Sequence, residues 1–143
     1  MNTIDTLKLE FDSRSVNESF ARSCIAAFIA RIDPTIEELN DVKTAVSEAV
    51  TNCIVHAYPE SIGKIKLTIQ IIGKTSVIIT VKDFGCGIED IDQAKVPLFT
   101  TGGTERSGMG FSVMECFMNH LHIKSKPGKG TIVTMRKNFQ VKR

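Results

Sequence analysis

A polar line on a helix that otherwise belongs in a core constrains this chain more than any other feature. From Ser47 to Tyr58 the residues are mostly helix-forming, and Glu48, Asn52 and His56 follow one another at intervals of four. With about 100° of turn per residue, each step of four moves a side chain only about 40° round the helix. Ala45, Val46, Ala49, Val50, Cys53 and Ile54 flank the line and make an apolar face. A carboxylate and an amide bordering such a face are costly unless something binds there. A hydrated cation carrying phosphates satisfies both. The helix is therefore expected to form the metal and general-base wall of a nucleotide site.

The rest of the chain is read as the other walls. At 143 residues it is expected to be one domain spanning 1–143, large enough for a real core. A net charge of +2 is too small to argue for nucleic acid, and with no Trp and one Tyr there is little surface for base stacking. The four cysteines, Cys24, Cys53, Cys86 and Cys116, form no CxxC pair, and three fall in apolar helical patterns. Reduced, buried thiols in an intracellular protein are expected, with Cys86 set apart as exposed in its glycine loop. No signal-peptide pattern or bilayer-length apolar run is present, which predicts a cytoplasmic protein without membrane contact.

Leu7, Leu9 and Phe11 alternate with charged residues and predict a half-buried strand. Ser15-Val16-Asn17-Glu18 reads as a capping box for a helix to about Ile32, with Val16, Phe20, Cys24, Ala27, Phe28 and Ile32 on its buried side. Thr35-Ile36-Glu37-Glu38 is a second capping box, opening the long helix to about Ala57. Two alternating stretches, Lys64 to Ile72 and Ser76 to Lys82, predict an antiparallel hairpin across Gly73-Lys74-Thr75. A short helical turn over 89–94 follows, then a mobile lid from Pro97 to Ser107, and a helix from Phe111. The last hairpin pairs about Leu121 to Ser125 with Gly130 to Lys137. This order predicts an α+β fold, one largely antiparallel mixed sheet with helices on one face.

Two glycine motifs carry the remaining chemistry. Asp83-Phe84-Gly85-Cys86-Gly87 follows a strand. Asp-x-Gly is a common turn signal; as a site, Asp83 accepts a hydrogen bond from an exocyclic amine such as adenine N6, while Gly85 and Gly87 let the backbone pass close to a flat base. Gly108-Met109-Gly110 opens a helix. It is either a plain loop-to-helix junction or a phosphate cradle of free amides aided by the helix dipole. Neither a P-loop nor a GxGxxG pattern occurs.

Taken in order, these motifs resemble the GHKL ATPase/kinase superfamily. Glu48 and Asn52 match its N box, Asp83 to Gly87 its G1 box, and Ser107 to Phe111 its G2 box, while Thr131 matches the Thr that supports the base-binding Asp. Asn17 to Arg22, Val46 to Asn52, Pro97 to Thr101 and Glu105 to Phe111 look like the sporulation anti-sigma factors, which are serine-protein kinases. Two departures stand out: a short stretch between Thr101 and Glu105, and His56-Ala57-Tyr58 in place of the usual His-Gly or His-Ala pair.

The resemblance implies a two-layer α/β sandwich of the Bergerat type binding ATP or ADP with Mg²⁺. Asn52 would ligate the metal and Glu48 would draw a proton from an incoming serine hydroxyl. Asp83, with Thr131 behind it, would read adenine. Ser107, Gly108 and Gly110 would hold phosphates. Arg106 would either neutralise the transferring phosphoryl group or be a solvated arginine. The implied partners are a sporulation sigma factor of the F type, an anti-anti-sigma protein phosphorylated on serine, and a second copy of the chain, with Glu18 and Arg22 as exposed partner contacts. The competing readings are a nucleotide-dependent sigma-binding switch with little kinase activity, a sensor histidine kinase catalytic part and an ATPase clamp.

Overall fold

The computed structural model describes residues 3–95 and 110–140. Five strands form one sheet: β1 (Thr3–Asp12), β2 (Lys64–Ile72), β3 (Ser76–Asp83), β4 (His120–Lys126) and β5 (Gly130–Asn138), in the order β1-β2-β3-β5-β4. Every neighbouring pair is antiparallel. The fold class is as expected, without the parallel pairing that a mixed sheet implies.

Alternation decides which side of the sheet is covered. Ile65, Leu67, Ile69 and Ile71 of β2, Val77, Ile79 and Val81 of β3, and Val133 and Met135 of β5 are buried, while their neighbours along each strand are mostly not. They share one core with residues of three helices, α1 (Val16–Ile29), α2 (Ile36–Asn52) and α4 (Phe111–Phe117). A one-turn helix, α3 (Ile91–Ala94), is capped by the Asp90 side chain on the Gln93 amide.

α2 starts and ends for local reasons. The Thr35 hydroxyl accepts from the Glu38 amide at 3.0 Å, and the Glu38 carboxylate accepts from the Thr35 amide at 2.8 Å, so the predicted capping box is complete. Glu38 also accepts from the Gln140 amide, which ties the helix start to the end of the sheet. At its far end α2 runs into a π-helical turn, Cys53–Ala57, closed by the Tyr58 amide on the Cys53 carbonyl.

α1 departs from expectation in two respects. The Ser15 side chain makes no capping bond, so the first capping box is not formed. The buried stripe is Ala21, Ile25 and Ile29, whereas Val16 is 69% and Phe20 59% exposed. α1 carries apolar residues on two faces, and the branched Ile25 and Ile29 turn inward. Of the three helical cysteines expected to be buried, Cys53 is buried, Cys24 half-buried and Cys116 exposed; Cys86, in its glycine loop, is exposed, and all four are free thiols. Among the described residues no helix is long and apolar enough to cross a membrane.

Candidate functional site

Where the π-helical end of α2 faces the ends of β3 and β5, a narrow cleft opens. Its helix wall is Asn52, Cys53 and His56, its sheet wall Val81, Asp83, Thr131 and Val133, and Gly87, Ile88 and Phe111 border it. Asn52 and His56 are thus two of the three residues in the polar line. Glu48 lines an adjoining groove with Arg22, Asn40 and Lys43.

The sheet register builds the polar end of the cleft. Asp83 lies opposite Thr131, and Thr131 opposite Ser125, so three polar side chains run in one row across β3, β5 and β4. Asp83 is only 5% exposed. Its Oδ1 accepts from the Gly85 amide at 2.9 Å and the Thr131 amide at 3.2 Å. Its Oδ2 lies 3.6 Å from the Cys53 thiol, whose single hydrogen also has the Ala49 carbonyl within 3.4 Å. Burial pushes the Asp83 carboxyl above its ordinary range, against these hydrogen bonds, which favour the charged form. Burial, with Asp83 beside it, drives the Cys53 thiol well up, so it remains a donor.

The loop after β3 is held from both sides. On the helix side the Cys86 amide donates to the Ala57 carbonyl at 3.2 Å and the Cys86 thiol to the His56 carbonyl at 3.1 Å. These bonds satisfy carbonyls that a helix end leaves open. On the hairpin side the Gly128 amide donates to the Cys86 carbonyl at 2.8 Å and the Ile88 amide to the Ser125 hydroxyl at 2.8 Å. Gly87 has φ +77°, and a Cβ there would lie 2.3 Å from the Lys126 carbonyl oxygen. Only glycine takes this backbone and this approach together. Tyr58 closes the corner, accepting from the Phe84 amide and donating to the Lys64 carbonyl, both at 2.7 Å.

At the other end Gly110 sits directly on Glu48. Its φ is +70°, and a Cβ would fall 2.1 Å from the Glu48 carboxylate. The start of α4 therefore packs against the carboxylate that heads the polar line. The structure brings Asn52, Asp83, Gly87 and Thr131 to one cleft, with the Gly85 amide on Asp83 and with Glu48 and Gly110 in contact at the margin. Arg106, Ser107, Gly108 and the lid predicted over 97–107 lie outside the described residues. Glu18 and Arg22 are half-buried rather than exposed, 3.6 Å apart as an i, i+4 ion pair, because α1 turns this pair toward α2.

Reading the sequence missed Ser125 and Ile88 as part of the site, and had Phe111 only as the last residue of the second glycine motif. The predicted hairpin sets Ser125 opposite Gly130, one place from its partner Thr131 in the sheet, and nothing in the sequence marks Ile88. Among the described residues no cluster of His, Cys, Asp or Glu could hold a metal by itself. Asn52 could offer a cation one amide oxygen, the remaining positions falling to water or to a bound anion.

The chain matches the family model of the histidine kinase-like ATPase domain over residues 10–137. It is 55% identical over 138 residues to an anti-sigma F factor of Thermoanaerobacter sp. strain X514, covering 96% of each chain. The anti-sigma F factor of Caldanaerobacter subterraneus subsp. tengcongensis is 56% identical over 132 residues, 92% of each chain. Among solved structures, the RsbU and RsbW domains of a Mycobacterium tuberculosis protein superpose with a TM-score of 0.70 at 20% identity, over 95% of this chain and 33% of that one. The catalytic domain of the histidine kinase ThkA gives 0.57 at 16% identity, over 95% of this chain and 97% of that one. At such identities these two matches speak for the fold alone.

Proposed function

Because this chain belongs to the histidine kinase-like ATPase domain family and, within it, to the anti-sigma F factors, we propose that it sequesters a sporulation sigma factor and uses Mg²⁺-ATP to phosphorylate an anti-anti-sigma antagonist on serine. The observation that carries this reading is the division of labour along the cleft. One end presents the buried acceptor Asp83, suited to an amine-bearing base, and the other presents Asn52, one turn of α2 from Glu48 in the adjoining groove.

The residues fit such a ligand. Gly87 keeps the loop after β3 close against the hairpin, Asp83 Oδ2 keeps acceptor capacity toward the cleft, and the Asn52 amide supplies the hard oxygen that Mg²⁺ prefers. Bound Mg²⁺ would supply charge neutralisation to the phosphates. Thr131 stands behind Asp83 through its amide. Gly110 keeps the start of α4 against Glu48; with Ser107 and Gly108 it is assigned to the phosphates, and Arg106 to the transferring group, on sequence alone.

Glu48 is the general base in this reading. It opens on the groove beside the cleft rather than on the base-binding end, the side from which a protein hydroxyl would approach. Arg22 lines that same groove, which supports its assignment, with Glu18, to partner contact. The proposal includes a cytoplasmic homodimer as the sequestering unit.

The competing reading is a sigma-binding switch that needs ATP but transfers little phosphate. Labelled ATP, incubated with the protein and a candidate anti-anti-sigma protein, separates the two. Label on a partner serine supports the kinase. ATP binding without any labelled serine rejects it in favour of the switch.

A further inference from the structure

Ser125 Oγ meets three polar atoms: the Ile88 amide at 2.8 Å, the Gly130 carbonyl at 3.0 Å and the Thr131 hydroxyl at 2.7 Å. A serine hydroxyl has one hydrogen and two lone pairs. The Ile88 amide can only donate and the Gly130 carbonyl can only accept. If Ser125 gives its hydrogen to Gly130, the Thr131 hydroxyl must give its own to Ser125, and every contact is satisfied. The reverse arrangement leaves the Gly130 contact unmade. Thr131 is thereby left with lone pairs alone for the cleft that it lines. Asp83 beside it is likewise acceptor-only, with Oδ1 taken by two amides.

We propose that Ser125 is a specificity-determining positioning residue: it fixes the Thr131 hydroxyl as an acceptor toward the cleft, so that Asp83 and Thr131 together select a 6-aminopurine over a 6-oxopurine. This rests on the nucleotide reading above and goes beyond it by naming a residue outside the ligand's reach. A 6-oxo group brings lone pairs against an end with no hydrogen to offer. Removing the Ser125 hydroxyl frees the Thr131 rotor to donate to that oxygen.

Affinities for Mg²⁺-ATP and Mg²⁺-inosine triphosphate, measured by titration calorimetry on the full chain, test this. Ser125→Ala is expected to lower the ATP-over-inosine-triphosphate ratio about tenfold, the change that one reversed hydrogen bond is worth. Ser125→Thr is expected to keep the wild-type ratio. Should Ser125→Ala fail to fold, Ser125→Cys, a weak acceptor of similar volume, carries the same expectation of a lowered ratio. An unchanged ratio in the variant lacking the hydroxyl, or a ratio lost equally in Ser125→Thr, overturns the inference while leaving ATP binding intact. A wild-type protein that binds neither nucleotide defeats both this inference and the reading beneath it.

Discussion

Asp83 shows a trade between stability and function in one side chain. Its carboxyl is raised by burial, so the folded protein favours the acid form more than the unfolded chain does. The stability this contributes is complete below the ordinary carboxylate range and is lost as pH rises through the raised value. At neutral pH the charged group is therefore a net cost, tolerated for what it binds. Asp83→Asn keeps an oxygen for the Gly85 and Thr131 amides and removes the charge. It is expected to melt higher than wild type without nucleotide and to lose ATP affinity, read by calorimetry on the two proteins; a lower melting temperature would contradict that direction. Glu48 separates binding from chemistry. Glu48→Gln is expected to keep ATP affinity and lose serine phosphorylation by at least about a hundredfold, the usual worth of a general base. Single-turnover transfer at wild-type rate would remove Glu48 from that role. Gly110→Ala should reproduce part of this loss, since its methyl would displace the Glu48 carboxylate.

At the scale of elements, α2 was readable in extent and in face, and α1 in extent alone. α2 has a single apolar face, a complete capping box and one interrupting polar line, so only one orientation suits it. α1 offers Val16 and Phe20 on one side and Ala21, Ile25 and Ile29 on another, and the choice between them is made by packing against α2. The cap of α2 also yields a prediction opposite in sign to Asp83. Burial disfavours the Glu38 carboxylate, but hydrogen bonds from the Thr35 and Gln140 amides overcome this and hold its carboxyl below the ordinary range. Its contribution is present above the unfolded value and is lost as pH falls through the lowered one. Thr35→Ala is expected to cost about 1 kcal/mol in urea unfolding at neutral pH. Glu38→Gln should flatten the acid side of the stability profile, and an unaltered acid limb would show that the cap carries no such charge dependence.

For the molecule as a whole, the order of elements along the chain and the two hairpins were legible because each depends on neighbours in sequence. The row Asp83, Thr131, Ser125 was not, because a serine in a strand acquires meaning only when three strands fall into register. Ligand linkage gives a global test. Mg²⁺-ATP at a hundredfold excess over its dissociation constant should add about 2.7 kcal/mol to unfolding, seen as a higher melting temperature. The same addition to Asp83→Asn should move it little.

The π-helical turn over Cys53–Ala57 has a consequence for how this fold can diverge. Its wide winding sets the Ala57 and His56 carbonyls where Cys86 meets them, while Cys53 stays beneath Asp83. Deleting one residue there would restore ordinary winding and swing the anchor points by about 100°. The β2–β3 turn around Gly73, where φ is +60° but the space beyond is open, touches none of the cleft residues. Length variation should accumulate at the second place and be purged at the first, making five consecutive residues of helix the least editable ruler in the protein.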